Sequence, residues 1–254
     1  MGKLVSFAAW AARLGGTAAL FGITLADARA AAAPPPSGAA PPYVATDLAA
    51  DRSAELPVLP PSRPAALQLL WFDPLDALPA VAEDALAVEV RSIFRGLGVE
   101  VAFRKAGPET TYGDGPVPEV PVILLRDDPV PDRRPRRVLG LVVRDQEPNR
   151  AVWTFLENVS WTLGQERGRR TTSGLLALGV ALGRVVAHEV IHAIAPEEPH
   201  SKNGLMGHTM SRAFLLSARA PLEDRCARAF LSGLAARMAE LPSGAPKAAV
   251  ASVR

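Results

Sequence analysis

The chain is poor in the groups that would staple it, anchor it or draw it to a polyanion. It has one cysteine in 254 residues, Cys226. No internal disulfide can form, so an exported domain must hold together by its buried core. No lipobox cysteine follows the N-terminal apolar segment, so a lipid anchor there is not expected. That segment, Leu14 to Ala26, is cut off from the start of the chain by Arg13 and falls short of the roughly 20 apolar residues a membrane span needs. Charge of one sign is also lacking. The formal net charge is +2, and it vanishes once residues 1–30 are removed, because Lys3, Arg13 and Arg29 leave with only Asp27. The long-range field that nucleic-acid binding needs is therefore absent, and Arg133, Arg134, Arg136 and Arg137 read as a solvated loop. No internal repeat is present.

Histidine is scarce too, but it is concentrated. All four, His188, His192, His200 and His208, lie in the stretch HEVIHAIAPEEPHSKNGLMGH. A helix places residues i and i+4 on one face, so His188 and His192 can present two imidazole nitrogens to one ion, and zinc suits such a pair. Glu189 sits about 100° further round the helix, close enough to serve water as a general base without ligating the metal. A catalytic zinc takes a third protein ligand, and His200 is the nearest downstream residue of the right type. Pro196 and Pro199 cannot continue the helix, so the chain should leave it around Ala195 and turn back toward the metal. One variant keeps the helix pair and recruits Glu223 or Asp224 instead. His208 is read mainly as a surface residue, with a substrate or supporting role as the other use. Met206 reads equally as a core methionine.

These residues resemble the metzincin zinc peptidases, whose pattern is His-Glu-x-x-His-x-x-Gly-x-x-His followed by a methionine-containing turn. His188, Glu189 and His192 match the first half. His200 with Ser201 is similar to the third ligand and its neighbour in matrixin-type enzymes, and Met206 to the Met-turn. The His-Ser-x-x-Gly-Leu-Met ending also resembles short bacterial metzincin-like proteins. Two positions depart from the pattern: Ala195 stands where the family has glycine, and His200 comes two residues late. A longer, proline-braced loop is expected to replace the glycine turn, since alanine resists positive φ. The resemblance implies an α+β catalytic domain with a mixed twisted sheet of about four to five strands, an active-site helix, a Met-turn and a C-terminal helix. It also implies that an edge strand, here Val138 to Val143, aligns an extended substrate.

Residues 1–30 read as a signal peptide: Lys3 and Arg13 supply charge, Leu14 to Ala26 the apolar core, and Ala28-Arg29-Ala30 a cleavage site. The mature chain is then expected to begin near Ala31 and to be secreted or periplasmic, without a stable membrane anchor. Residues 31–64, rich in alanine and proline, read as a linker or short pro-segment. Strands are predicted at Leu67–Phe72, Val99–Phe103, Val120–Leu125, Val138–Val143 and Ala151–Leu156. A helix is predicted at Val81–Gly96. Thr172–Ile194, apolar on most sides, reads as a helix buried beneath a sheet and capped by Thr171 or Thr172. Ser211 to Leu241 reads as helical with a break near Pro221, and the peptidase domain as spanning residues 65–241, with 242–254 a tail. Cys226 falls in line with Leu222, Phe230 and Leu234 and is expected to face the core. Asn158-Val159-Ser160 fits a glycosylation acceptor, a signal without consequence in a chain of bacterial composition.

The function expected from the sequence is hydrolysis of a peptide or protein substrate by an exported zinc endopeptidase, with zinc on His188, His192 and His200 and Glu189 as base. The rival class is a non-catalytic exported zinc-binding protein of similar fold, in which the altered loop from Ala195 to Pro199 blocks the cleft.

Overall fold

A computed structural model describes residues 5–6, 65–107, 109–113, 115–127, 138–144, 150–165 and 171–241. Apart from Val5–Ser6, the signal segment lies outside the described residues, as do the Ala/Pro-rich stretch, the arginine cluster and the C-terminal tail.

In chain order the elements are β1 (Val5–Ser6), β2 (Ala65–Phe72), α1 (Ala80–Arg95), β3 (Val99–Lys105), β4 (Thr111–Tyr112), β5 (Glu119–Leu125), β6 (Gly140–Arg144), β7 (Arg150–Phe155), α2 (Leu156–Thr162), α3 (Thr172–Ile194), α4 (Arg212–Leu215) and α5 (Asp224–Glu240). Five strands form one mixed sheet in the order β3-β2-β5-β7-β6. The first four run parallel, and β6 pairs antiparallel with β7 at the edge. The two-residue strands β1 and β4 pair separately. The coarse class is the expected one, α+β with a five-stranded mixed sheet.

The inner strands are apolar on both faces because both are covered. Leu67, Leu69 and Trp71 of β2 and Val120, Val122 and Leu124 of β5 join the main core with α1 and α3. The opposite face carries a smaller cluster of Leu70, Phe72, Ile123, Ala151 and Tyr112. Pro121 is tolerated within β5 because pairing with β7 begins only at Val122, so its missing N–H falls where that neighbour has not yet joined.

Helix α3 is long and apolar enough to cross a membrane, yet most of it is buried inside the protein. Its apolar circumference is the signature of a core helix, packed between α1, the sheet and α5. Thr171 caps it by accepting from the Gly174 N–H at 3.2 Å. Its one buried cation, Arg184, is fully committed. It donates to Glu89 of α1 at 2.8 Å, to the Ser217 hydroxyl at 2.9 Å and carbonyl at 2.7 Å, and to the Phe214 carbonyl. Unpaired, a buried charge of this kind would cost several kcal/mol. Here it locks α3, one turn before His188, to both α1 and the segment after α4.

Strand ends differ from expectation by up to two residues, and at one of them the element type changes. The fifth strand stops at Phe155, and Leu156–Thr162 turns into the short helix α2. Asn158 of that helix is buried and donates to the Val138 carbonyl at 2.8 Å, so it serves structure rather than glycosylation. The predicted 211–241 helical stretch is broken near Pro221 as expected, into α4 and α5.

Candidate metal centre

The centre is built where α3 ends. His188 and His192 lie one turn apart near its C-terminus, and the helix stops at Ile194, followed by Ala195 at φ −122° and ψ 75°. Ala195 therefore avoids positive φ altogether, and the longer loop makes the turn that glycine makes elsewhere. The Glu198 N–H closes the first bend on the Ala195 carbonyl at 3.1 Å. The Glu198 carboxylate then pins the loop to the start of α5, receiving Arg225 Nε at 2.9 Å and the Cys226 thiol at 3.3 Å. Cys226 faces the core as expected, in line with buried Phe230 and Leu234.

Beyond the prolines the chain returns to the end of α3 and presents His200. The next residues form a tight turn: the Ser201 N–H donates to the Met206 carbonyl at 2.7 Å, and the Ser201 hydroxyl to the Asn203 carbonyl at 2.6 Å. Gly204 supplies φ +76°, and a β-carbon there would collide with the Pro221 carbonyl oxygen, so two requirements converge on glycine. Leu205 and Met206 are fully buried in the main core.

This turn also touches the first histidine. The Leu205 carbonyl lies 2.7 Å from His188 Nδ1. A carbonyl can only accept, so Nδ1 carries the proton and Nε2 keeps its lone pair for a metal, the usual way a backbone contact fixes a ligand's tautomer.

The three imidazoles converge. One ligand atom from each of His188, His192 and His200 lies within 4.8 Å of the others, and these three side chains could hold a metal ion. The Nε2 atoms of His192 and His200 stand 3.2 Å apart. Two nitrogens each about 2.05 Å from a tetrahedral ion are separated by about 3.3 Å, so this pair already has ligand spacing. Burial favours the neutral form of each ring. It draws His188 and His192 down to about 4, and lowers His200 as well, with neighbouring imidazoles adding to the effect. Neutral imidazole is the ligating form, so at neutral pH no proton competes with a metal.

Glu189 has a different environment. It is nearly buried, makes no hydrogen bond or ion pair among the described residues, and is pushed up to about 8 by desolvation alone. A buried carboxyl without a structural partner is costly, and such groups concentrate at functional sites. His208 is exposed and sets its ring edge-on to His200, with centroids 5.2 Å apart. Glu223 and Asp224 are exposed and do not belong to the cluster; among the described residues it consists of the three histidines.

A cleft of about 340 Å³ opens over the centre. Its floor includes His188, Glu189, His192 and His200, and Pro196 stands on the loop side. The opposite wall is the edge strand β6, through Gly140, Leu141, Val142 and Arg144. Gly140 is what lets β6 come so close. A β-carbon there would lie 2.9 Å from Val185 Cγ1, 2.9 Å from the Trp153 carbonyl oxygen and 3.0 Å from Glu189 Cγ. Within the sequence VLGLVV this glycine reads only as a weak point in a strand, so its place beside Glu189 is a structural finding. Neither the Leu205 carbonyl nor Arg144 carried a recognisable signal.

Compared with protein-family models, curated proteins and solved structures, the chain matches none.

Proposed function

We propose that the chain is an exported zinc-dependent endopeptidase of metzincin type. The observation that carries this reading is a buried carboxyl, Glu189, without a partner among the described residues, in one cleft with three neutral imidazoles whose ligand atoms lie within 4.8 Å of one another. A metal site built only for binding has no use for that carboxyl, whereas hydrolysis needs a base there.

His188, His192 and His200 would hold the ion, and a three-imidazole donor set suits zinc. Zinc would supply Lewis acidity, acidifying water and polarising the scissile carbonyl. Glu189 accepts the proton of the attacking water and delivers it to the leaving amine. Its burial suits both halves of that cycle, because it raises proton affinity toward the operating pH. Met206 takes the part of the Met-turn residue, and its turn holds His188 through the Leu205 carbonyl. The edge strand β6 forms one wall of the cleft, so an extended peptide can add to it by main-chain hydrogen bonds. His208 is exposed with its ring edge-on to His200 and is not among the residues that line the cleft, so any role toward substrate would be exercised from beside His200.

The test is paired zinc and turnover measurements on two variants. Glu189→Ala is expected to keep one zinc per chain and lose peptide hydrolysis, and His192→Ala to lose both. Hydrolysis retained in Glu189→Ala would refute the mechanism.

A further inference from the structure

Arg144 ends β6 and lines the same cleft as His188, Glu189 and His192. Residues two apart on a strand share a face, so Gly140, Val142 and Arg144 project together. Gly140 abuts Val185 and Glu189 of α3, and Val142 packs into the core on that side. Arg144 therefore stands on the face of the sheet that carries the metal centre. It is exposed, and it has no ion pair or hydrogen bond among the described residues. On the opposite loop, Glu198 is already committed to Arg225 and Cys226. The cleft thus contains a guanidinium that no carboxylate of the described residues neutralises.

We propose that Arg144 is the specificity-determining cation of the cleft and receives a carboxylate of the substrate. This assignment rests on the peptidase reading for its meaning in catalysis. Guanidinium offers a planar, two-pronged donor set that matches a carboxylate, and a partly shielded cleft strengthens the pair relative to open solvent. Strand geometry also sets where the carboxylate must lie. From Gly140, which abuts Glu189, to Arg144 is roughly 13 Å at about 3.3 Å per residue. A peptide laid along β6 advances at the same rate, and the arginine side chain can fold back by one or two residues. The acid therefore belongs about two to four residues from the cleaved bond. An aspartate or glutamate side chain offers this group, and so does a free C-terminus at that distance, which would make the protein a trimmer of chain ends.

The experiment uses the zinc-loaded full chain and three N-acetylated peptides: one with a glutamate three residues from its central bond and an amidated C-terminus, its glutamine counterpart, and that counterpart ending in a free carboxylate three residues from the bond. Binding is read by fluorescence anisotropy in the Glu189→Ala background, and cleavage by mass spectrometry in the wild type. At least one carboxylate peptide is expected to bind about tenfold tighter than the neutral amide, and which one does so identifies the source of the group. Adding Arg144→Gln should remove that advantage, and Arg144→Glu should transfer it to a lysine peptide, a reversal that general loss of folding cannot produce. No advantage in the starting protein, no binding at all, or an advantage that survives Arg144→Gln would overturn the assignment. An Arg144-dependent binding preference without cleavage of any peptide would refute the peptidase reading and leave Arg144 as a carboxylate receptor.

Discussion

Metal binding should release a proton from Glu189. Desolvation holds this carboxyl at about 8, while His188 and His192 are drawn down to about 4. At pH 6.5, with no metal present, Glu189 is then about 97% protonated and those two histidines carry almost no protons. A divalent ion on the adjacent imidazoles favours the carboxylate, so loading should expel close to one proton from this residue. Calorimetric zinc titrations in buffers of different ionisation enthalpy measure the number released. Performed on wild type and Glu189→Gln, they should differ by about one proton, because protons lost from any other source cancel in the comparison. At pH 9 the carboxyl is already about nine-tenths ionised without metal, and the difference should shrink to about 0.1. Equal proton release by the two proteins at pH 6.5 would refute the assignment of Glu189 as a carboxyl whose ionisation is governed by the ion.

The same shifts set the stability of the metal-free protein. A raised folded-state value means that the Glu189 contribution is full below 4.5 and is lost as pH rises through 8; between pH 6 and pH 9 the loss should be roughly 2 to 3 kcal/mol by urea unfolding, and absent in Glu189→Gln. His188 and His192 act oppositely: their folded values are lowered, so their contribution is present above 6.5 and is lost as pH falls toward 4. Gly140→Ala forces a β-carbon against Val185, Trp153 and Glu189, and should cost about 1 to 3 kcal/mol and lower kcat while zinc content is unchanged. Met206→Ala opens a cavity at a fully buried position and should cost about 2 to 5 kcal/mol in chemical denaturation.

Local pattern made most of this architecture legible. Leu67–Phe72, Val81–Gly96 and Thr172–Ile194 were readable because each carries its own periodicity or length, and the observed elements differ by a residue or two at their ends. The histidine cluster was readable because its first two members are one helical turn apart and prolines 196 and 199 force the chain back. Contacts between distant segments were not readable. Nothing local to Gly140 marks it as the neighbour of Glu189, and nothing near Arg184 shows that Glu89 and Ser217 will meet it. Helix α2 was hidden because the apolar run of β7 continues into Leu156. Ala195 looked unsuited to a glycine turn, and the structure resolves the conflict by making no such turn there.

The central claim, that Glu189 and three histidines form a hydrolytic centre, is tested most directly by incubating the zinc-loaded full chain with a diverse peptide library beside Glu189→Ala and reading the products by mass spectrometry. Internal cleavage by the wild type that disappears in the zinc-replete variant is the expected result. A folded, zinc-loaded wild type that leaves every peptide intact, or a variant that cuts as the wild type does, would contradict it.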